Sequence, residues 1–101
     1  MIIPNKFKIA GFEVQVEFVE KTDDNCYGCW DDVNNTISIA KNISLKNGEL
    51  TPLTERQMAN TFFHEQCHAM QFYSGKPYSE TECNIFANFM LEFYETKQVK
   101  S

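Results

Sequence analysis

The first half of the chain alternates between apolar and polar positions with the period of a β-strand. In residues 12–18 every second residue is Phe or Val, which is typical of a strand with one buried face. Residues 6–10 alternate in the same way, and Gly11 can join or bulge the two segments. Two short runs, residues 27–31 and 36–40, flank a turn-prone Asn-Asn and predict a β-hairpin. We therefore expect an antiparallel sheet in this half.

The pattern changes to the helical period near Thr51. Thr51 supplies an N-cap residue, Pro52 suits the first helical position, and Glu55 places an acid in the first turn. Apolar residues then recur every three to four positions, which predicts a helix over residues 52–73.

A second helix follows a short break. The run Ser-Gly-Lys-Pro at residues 74–77 ends the first helix, and Ser79 opens a second apolar and polar pattern that continues to about Lys97. The sequence thus predicts an α+β fold, in which a small antiparallel N-terminal sheet packs against two C-terminal helices.

Composition narrows the class of protein and its partners. A chain of 101 residues, 43% of them hydrophobic, predicts a single domain over residues 1–101. The formal charge of −5 and the lack of a basic stripe argue against nucleic acid as a partner. No apolar run approaches the roughly 18–20 residues of a membrane span, and the first residues do not resemble a secretory signal. We expect a cytoplasmic protein without a membrane partner.

The most informative motif lies within the first predicted helix. Residues 61–70 contain His-Glu-x-x-His, with the pattern at His64, Glu65 and His68, and this is the zinc-site signature of metalloproteases. Residues four apart on a helix share a face, with Cβ atoms about 5–6 Å apart, so both imidazoles can bind one Zn²⁺. Catalytic zinc takes three protein ligands and a water, and Glu65 is placed to act as general base on that water. The alternative is chance spacing on a solvated helix face.

The third ligand has to come from outside the motif, and the first turn of the second helix offers Glu80 and Glu82. Glu82 heads a row of three phenylalanines at helical spacing, which we expect to face inward, whereas Glu80 leads toward asparagines on a polar face. This favours Glu82 as the metal ligand. An alternative is that Ser79 and Glu82 form a capping box, in which Glu82 binds only the Ser79 backbone N–H.

Four cysteines offer further candidate ligands. Cys26 and Cys29 form a Cys-x-x-Cys pair, but they lie too far from His64 for a Cys₂His₂ zinc finger, and we expect structural or incidental thiols. Cys67 and Cys83 fall on helical faces beside Phe and Ala, where a free cysteine behaves as a small hydrophobe. We expect both to lie in the core.

These motifs together resemble those of the minimal gluzincin metallopeptidases. The features are a small sheet, a helix with His-Glu-x-x-His, and a second helix that carries Glu-Cys-Asn-Ile-Phe-Ala at residues 82–87. Within that class the chain resembles the ImmA/IrrE-type family and its short phage and mobile-element relatives. The resemblance extends to residues 28–31 and 35–39, which look like the hairpin before the active-site helix. It implies a zincin-like domain that hydrolyses peptide bonds, with Glu82 as the third zinc ligand.

The resemblance also implies a protein or peptide substrate. An exposed edge of an antiparallel sheet is a template for an extended peptide, so we expect the substrate to pair with such an edge. Zincins often use a Tyr or His to bind the oxyanion of the tetrahedral intermediate. Because both histidines are already assigned as ligands, Tyr73 or Tyr78 is the candidate donor.

A second hypothesis retains the zinc but not the catalysis. The protein would then be a zinc-stabilised interaction module, such as a phage-type regulator or inhibitor of a host protein. Structural zinc sites are closed by four ligands, so Cys67, Cys83 or the Cys26 and Cys29 pair would complete the shell. A third hypothesis is a metal-free helix whose histidines are satisfied by hydrogen bonds.

Overall fold

The structure is a computed structural model that describes residues 2–99. Strands occupy the first half of this range and helices the second, and the predicted α+β class is confirmed. In chain order the elements are β1 (Lys6–Ile9), β2 (Phe12–Val19), β3 (Gly28–Asp31), β4 (Thr36–Ala40), β5 (Asn42–Ser44), β6 (Leu50–Pro52), α1 (Glu55–Tyr73) and α2 (Glu80–Thr96).

The four-stranded sheet is mixed rather than antiparallel throughout. Its order is β1-β2-β4-β3; β1 pairs with β2 and β3 pairs with β4 in the antiparallel sense, as expected. However, β2 and β4 are parallel, with Gln15 opposite Thr36 and Val19 opposite Ala40. Strand β4, whose Ile37 is fully buried, lies in the interior of the sheet and leaves β3 at its edge. Since β3 reverses the chain direction and β4 reverses it again, β4 runs parallel to β2.

The start of α1 differs from the prediction. Thr51 and Pro52 belong to β6, which pairs with β5 in a separate two-stranded sheet. The helix begins at Glu55, and Thr54 is its N-cap. Thr54 Oγ1 accepts the Gln57 backbone N–H at 3.1 Å, and Gln57 Oε1 accepts the Thr54 N–H at 2.8 Å. This reciprocal capping box satisfies two backbone N–H groups at the helix start. The second helix has the predicted N-cap, Ser79, and ends at Thr96.

Helix α1 lies between the sheet and α2 and contacts both. One face of the sheet is apolar and is covered by α1, while the other face is polar and exposed. Phe62 and Phe63 of α1 provide most of the bulk on the helical side of the core. The buried members of the core cluster are Val14, Ile37, Ile39, Phe62, Phe63 and Ala87.

The inward face of α2 differs from the predicted one. Cys83, Ala87 and Leu91 are buried. Of the predicted aromatic row, Phe86 packs partly buried against the core, whereas Phe89 and Phe93 are 70% and 56% exposed. Because α1 already fills the interface with phenylalanine rings, small side chains on α2 allow the two helices to approach closely. This rotation of α2 determines which residues of its first turn face α1. Neither helix in residues 2–99 combines the length and the apolar character that a membrane crossing requires.

Candidate metal centre

Two imidazoles on α1 form the centre of the candidate site. His64 and His68 are one helical turn apart, and their Nε2 atoms lie 3.2 Å from each other. Both side chains are largely shielded from solvent. With Glu65 they form a group whose potential ligand atoms all lie within 4.8 Å of one another. The pairing of the histidines predicted from their spacing is therefore present in the folded chain.

The first residue of α2, Glu80, supplies the carboxylate that reaches these histidines. Its Oε2 lies 2.8 Å from His64 Nε2, and its Oε1 lies 2.8 Å from His68 Nε2. Successive residues on a helix are rotated by about 100°, and Glu80 lies three positions before the buried Cys83, on the same side of α2. The residue that the sequence placed on the polar face is thus the one that meets the two histidines.

Glu82 reaches α1, as predicted, but its carboxylate contacts Gln71 and not the histidines. Its Oε2 accepts a hydrogen bond from Gln71 Nε2 at 3.1 Å. The Ser79 side chain accepts the Glu82 backbone N–H at 3.3 Å, so half of the alternative capping box is formed. The other half is replaced, because the Ser79 backbone N–H donates to Gln71 Oε1 at 3.1 Å. Glu80 rather than Glu82 meets the histidines because the phenylalanine row of α2 does not face inward as a whole, with Phe89 and Phe93 largely exposed.

The spacing of the three side chains fits a zinc ion. Tetrahedral zinc with bonds of about 2.0–2.2 Å separates neighbouring ligand atoms by roughly 3.3–3.5 Å. The two Nε2 atoms, at 3.2 Å, are already close to that separation. The Glu80 oxygens would have to withdraw by about 0.5 Å for the same geometry, and the Glu80 side chain is 75% exposed and has room to do so. The residues present therefore fit the ion.

Glu65 lies on the side of α1 that faces strand β3. It is buried, and burial is the main cause that raises the pKa of its carboxyl. His64, His68 and the neighbouring Trp30 backbone lower the pKa of this carboxyl. Glu65 is therefore buried between the two imidazoles and the edge strand, where it lies close to Gly28.

Gly28 makes this close approach possible, and the sequence reasoning did not identify it as a site residue. A Cβ at this position would lie 2.5 Å from Thr61 Cγ2 and 2.7 Å from the Ser38 backbone oxygen, and 3.6 Å from Glu65 Cγ. Any side chain would force α1 away from β3. A glycine inside a predicted strand is the signal that was available, because it often marks a close approach of another segment.

A cleft of about 880 Å³ runs between β3 and the two helices. The backbone of β3 faces it. The Ala40 N–H donates to the Tyr27 carbonyl at 2.8 Å, and in an antiparallel ladder the next residue points its polar groups away from the partner strand. Gly28 and Trp30 therefore direct their N–H and C=O groups toward the open edge. His64, Glu65, His68, Tyr78, Glu80 and Asn84 are among the side chains that line the cleft.

The two tyrosines predicted as oxyanion donors differ in position. Tyr73 donates from its hydroxyl to Asn35 Oδ1 and stacks on Phe12, away from the residues that line the cleft. Tyr78 lines the cleft, with its ring 5.4 Å from that of His68. Its hydroxyl donates to Asp32 Oδ2 at 3.3 Å, and burial together with this carboxylate raises the pKa of the phenol. Tyr78 therefore carries a protonated hydroxyl in the cleft.

The cysteines are not arranged around the imidazole Nε2 atoms. Cys83 Sγ lies 3.4 Å from His68 Nδ1, the ring nitrogen that points away from Glu80. Cys67 and Cys83 are buried, as predicted, whereas Cys26 and Cys29 are exposed. Within residues 2–99 no cysteine belongs to the group of ligand atoms formed by His64, Glu65 and His68. The closed shell of four ligands expected for a structural zinc site is not formed by these thiols.

Comparisons of the chain with protein-family models, with curated proteins and with solved structures find no match in any of the three. Membership of the ImmA/IrrE-type family stays a prediction from the motifs. A functional assignment for this chain rests on the geometry of the metal centre and its cleft.

Proposed function

We propose that this protein is a zinc-dependent metallopeptidase, in which His64, His68 and Glu80 hold the ion and Glu65 is the general base. The observation that carries the proposal is that both imidazole Nε2 atoms meet the Glu80 carboxylate at 2.8 Å beside a buried glutamate. When bound, zinc would supply a Lewis acid that acidifies water and polarises a carbonyl.

The donor set favours zinc over other ions. Two imidazoles and one carboxylate match the His₂Glu ligands of catalytic zinc, whereas Mg²⁺ and Ca²⁺ prefer oxygen ligands. His64 and Glu80 line the open cleft, so a fourth position is accessible to water or substrate. A site open on one side is typical of catalysis rather than of fold stabilisation.

Glu65 has the position and the environment of a general base. It is buried next to both histidines, and the raised pKa of its carboxyl, caused mainly by burial, makes it a stronger base than an exposed glutamate. Its side chain is among those that line the cleft. In this position Glu65 can accept a proton from water and later deliver it to the leaving amine.

The substrate in this proposal is an extended polypeptide lying along β3. The outward N–H and C=O groups of Gly28, together with the Trp30 carbonyl, can pair with a peptide backbone, as in other cases of strand addition. Tyr78 would donate its hydroxyl to the developing oxyanion after leaving Asp32. We place this activity in the cytoplasm, because four free thiols stay reduced there.

A second candidate is the zinc-stabilised interaction module, and one surface favours it. Ile85, Phe89 and Phe93 follow one another at i, i+4 and i+8 on the outer face of α2, and their exposed fractions are 50%, 70% and 56%. Contiguous exposed apolar side chains are typical of a protein interface. In this hypothesis the bound partner is a protein and no bond is cleaved.

Glu65→Gln separates the two candidates. The amide cannot take a proton, so hydrolysis of a peptide library should fall by about two to four orders of magnitude, while zinc content by elemental analysis stays at one per chain. Glu55→Gln, at an exposed position of the same helix, is the matched control and should retain full activity. A partner-dependent effect that Glu65→Gln leaves unchanged would reject the peptidase and favour the interaction module.

A further inference from the structure

A buried glutamine links the metal centre to the start of α2. Gln71 is only 4% exposed, and its Oε1 lies 3.1 Å from His68 Nδ1 and 3.1 Å from the Ser79 backbone N. On the other side its Nε2 donates to Glu82 Oε2 at 3.1 Å. Nothing in the motif or in its spacing draws attention to this residue.

The two outer partners of Gln71 fix the orientation of its amide. A backbone N–H can only donate, so the group next to Ser79 must be the amide oxygen. An ionised carboxylate can only accept, so the group next to Glu82 must be the amide nitrogen. The amide oxygen therefore also faces His68 Nδ1, and a proton on this ring nitrogen completes the hydrogen bond between them.

We propose that Gln71 is a positioning residue that presents Nε2 of His68 to the metal. A neutral imidazole with its proton on Nδ1 has its lone pair on Nε2. Nε2 lies near His64 and Glu80, and a bound metal would accept this lone pair in place of the direct contact between Nε2 and the Glu80 carboxylate. Hydrogen bonds from the second ring nitrogen orient metal-binding histidines in the same way elsewhere. This inference rests on the zinc site proposed above.

The same contacts place the third ligand. Ser79, whose N–H binds Gln71 Oε1, directly precedes Glu80 in the chain. Gln71 thus connects the end of α1 to the residue before Glu80, and Glu82, in the same first turn of α2, accepts a second hydrogen bond from Gln71. The carboxylate that the sequence favoured as a ligand acts in this arrangement on His68 through Gln71.

Gln71→Met tests the inference, since methionine approximates the volume of glutamine but has no amide. We expect its zinc affinity, measured by competition with a chromophoric chelator, to fall by about 10–100-fold, as is typical when an outer partner of a ligand is lost. Gln66→Met is the matched control. Gln66 lies on the same helix and its Oε1 has no hydrogen-bond partner within the described residues, so affinity should not change.

An NMR measurement and a double variant, in which the donor and the acceptor are exchanged, distinguish lost positioning of His68 from a general loss of stability. In the zinc-loaded parent the Nδ1–H resonance of His68 should exchange slowly with water, and it should exchange rapidly in Gln71→Met. Gln71→Glu alone places two carboxylates side by side and should weaken zinc binding. Adding Glu82→Gln reverses donor and acceptor between these two positions, and it should restore the affinity and the slow exchange.

The possible results separate this inference from the proposed function. Zinc binding by the parent together with equal affinities of Gln71→Met and Gln66→Met would overturn the role of Gln71 and leave the zinc site in place. No zinc binding by the parent would overturn both. If Gln71→Met does not fold, the double variant Gln71→Glu with Glu82→Gln provides the test. A folded double variant that binds zinc no more tightly than Gln71→Glu alone would reject the inference.

Discussion

Glutamine substitutions at Glu80 and Glu82 test which carboxylate belongs to the metal centre. Glu80 lies 2.8 Å from both imidazole Nε2 atoms, whereas Glu82 binds Gln71. Glutamine keeps the size of the side chain and removes the negative charge. We expect Glu80→Gln to bind zinc much more weakly. Glu82→Gln should bind it almost as the parent does, because the new amide oxygen can still accept from Gln71 Nε2.

The size of the effect follows from the position of Glu80. Loss of a ligand should cost at least the upper end of the 10–100-fold range for outer partners, and a hundredfold loss corresponds to about 2.8 kcal/mol of binding free energy. When free zinc exceeds the dissociation constants of both the parent and Glu80→Gln, the whole loss of binding free energy appears as a loss of folding free energy. At about 4–8 °C per kcal/mol for a domain of this size, the zinc-induced rise in Tm should shrink by about 11–22 °C.

Differential scanning calorimetry of each variant, with zinc and with a chelator, measures this rise. The zinc-free melting temperatures of the two variants should lie close to that of the parent, because the Glu80 side chain is 75% exposed and exposed ion pairs contribute little to stability. His64→Ala serves as the positive control and should show almost no zinc-induced rise. Equal rises in Glu80→Gln and Glu82→Gln, or a smaller rise in Glu82→Gln, would refute the assignment of Glu80.

Two further substitutions test the cleft. Gly28→Ala should lower the free energy of unfolding, measured in urea, by about 1–3 kcal/mol through overpacking, because its Cβ would meet Thr61 Cγ2 at 2.5 Å and Ser38 O at 2.7 Å. Adding Thr61→Ser should restore part of this loss. An unchanged stability of Gly28→Ala would contradict the close approach of α1 to β3. Tyr78→Phe should lower kcat by a factor of about 10²–10³ with unchanged zinc content, as expected for an oxyanion donor. Tyr73→Phe, the control, should leave kcat unchanged. Equal effects of the two substitutions on kcat would reject Tyr78 as the donor.

The sequence predicted most of the elements because their signals are local. Apolar residues at every second position identify a strand irrespective of its partner, and β2 (Phe12–Val19) was predicted to within one residue. The helix bearing the histidines ends at Tyr73, as expected. Its start was misplaced because residues 51–55 and residues 54–57 both carry capping signals, and only the pairing of β6 with β5 excludes the first.

Sheet order and the rotation of α2 depend on contacts between distant residues. The period of a strand does not specify its neighbour, so the parallel pairing of β2 with β4 could not be read from the alternation. Helix α2 is apolar around much of its circumference, so the hydrophobic pattern alone did not select an inward face. Contacts with α1 selected it, since Ala87 packs in the core with Phe62 and Phe63 and Cys83 lies against His68.

For the candidate site, the sequence by itself determined the pair of imidazoles and the glutamate between them. Their relation is fixed by the helical repeat within one turn of α1, so His64 and His68 meet wherever that helix forms. Only the tertiary structure decided that Glu80 meets both imidazoles, that Gly28 brings β3 against Glu65, and that Gln71 faces His68. Each of these contacts requires two elements to pack at a particular rotation and distance, and side-chain volumes across the whole interface set both.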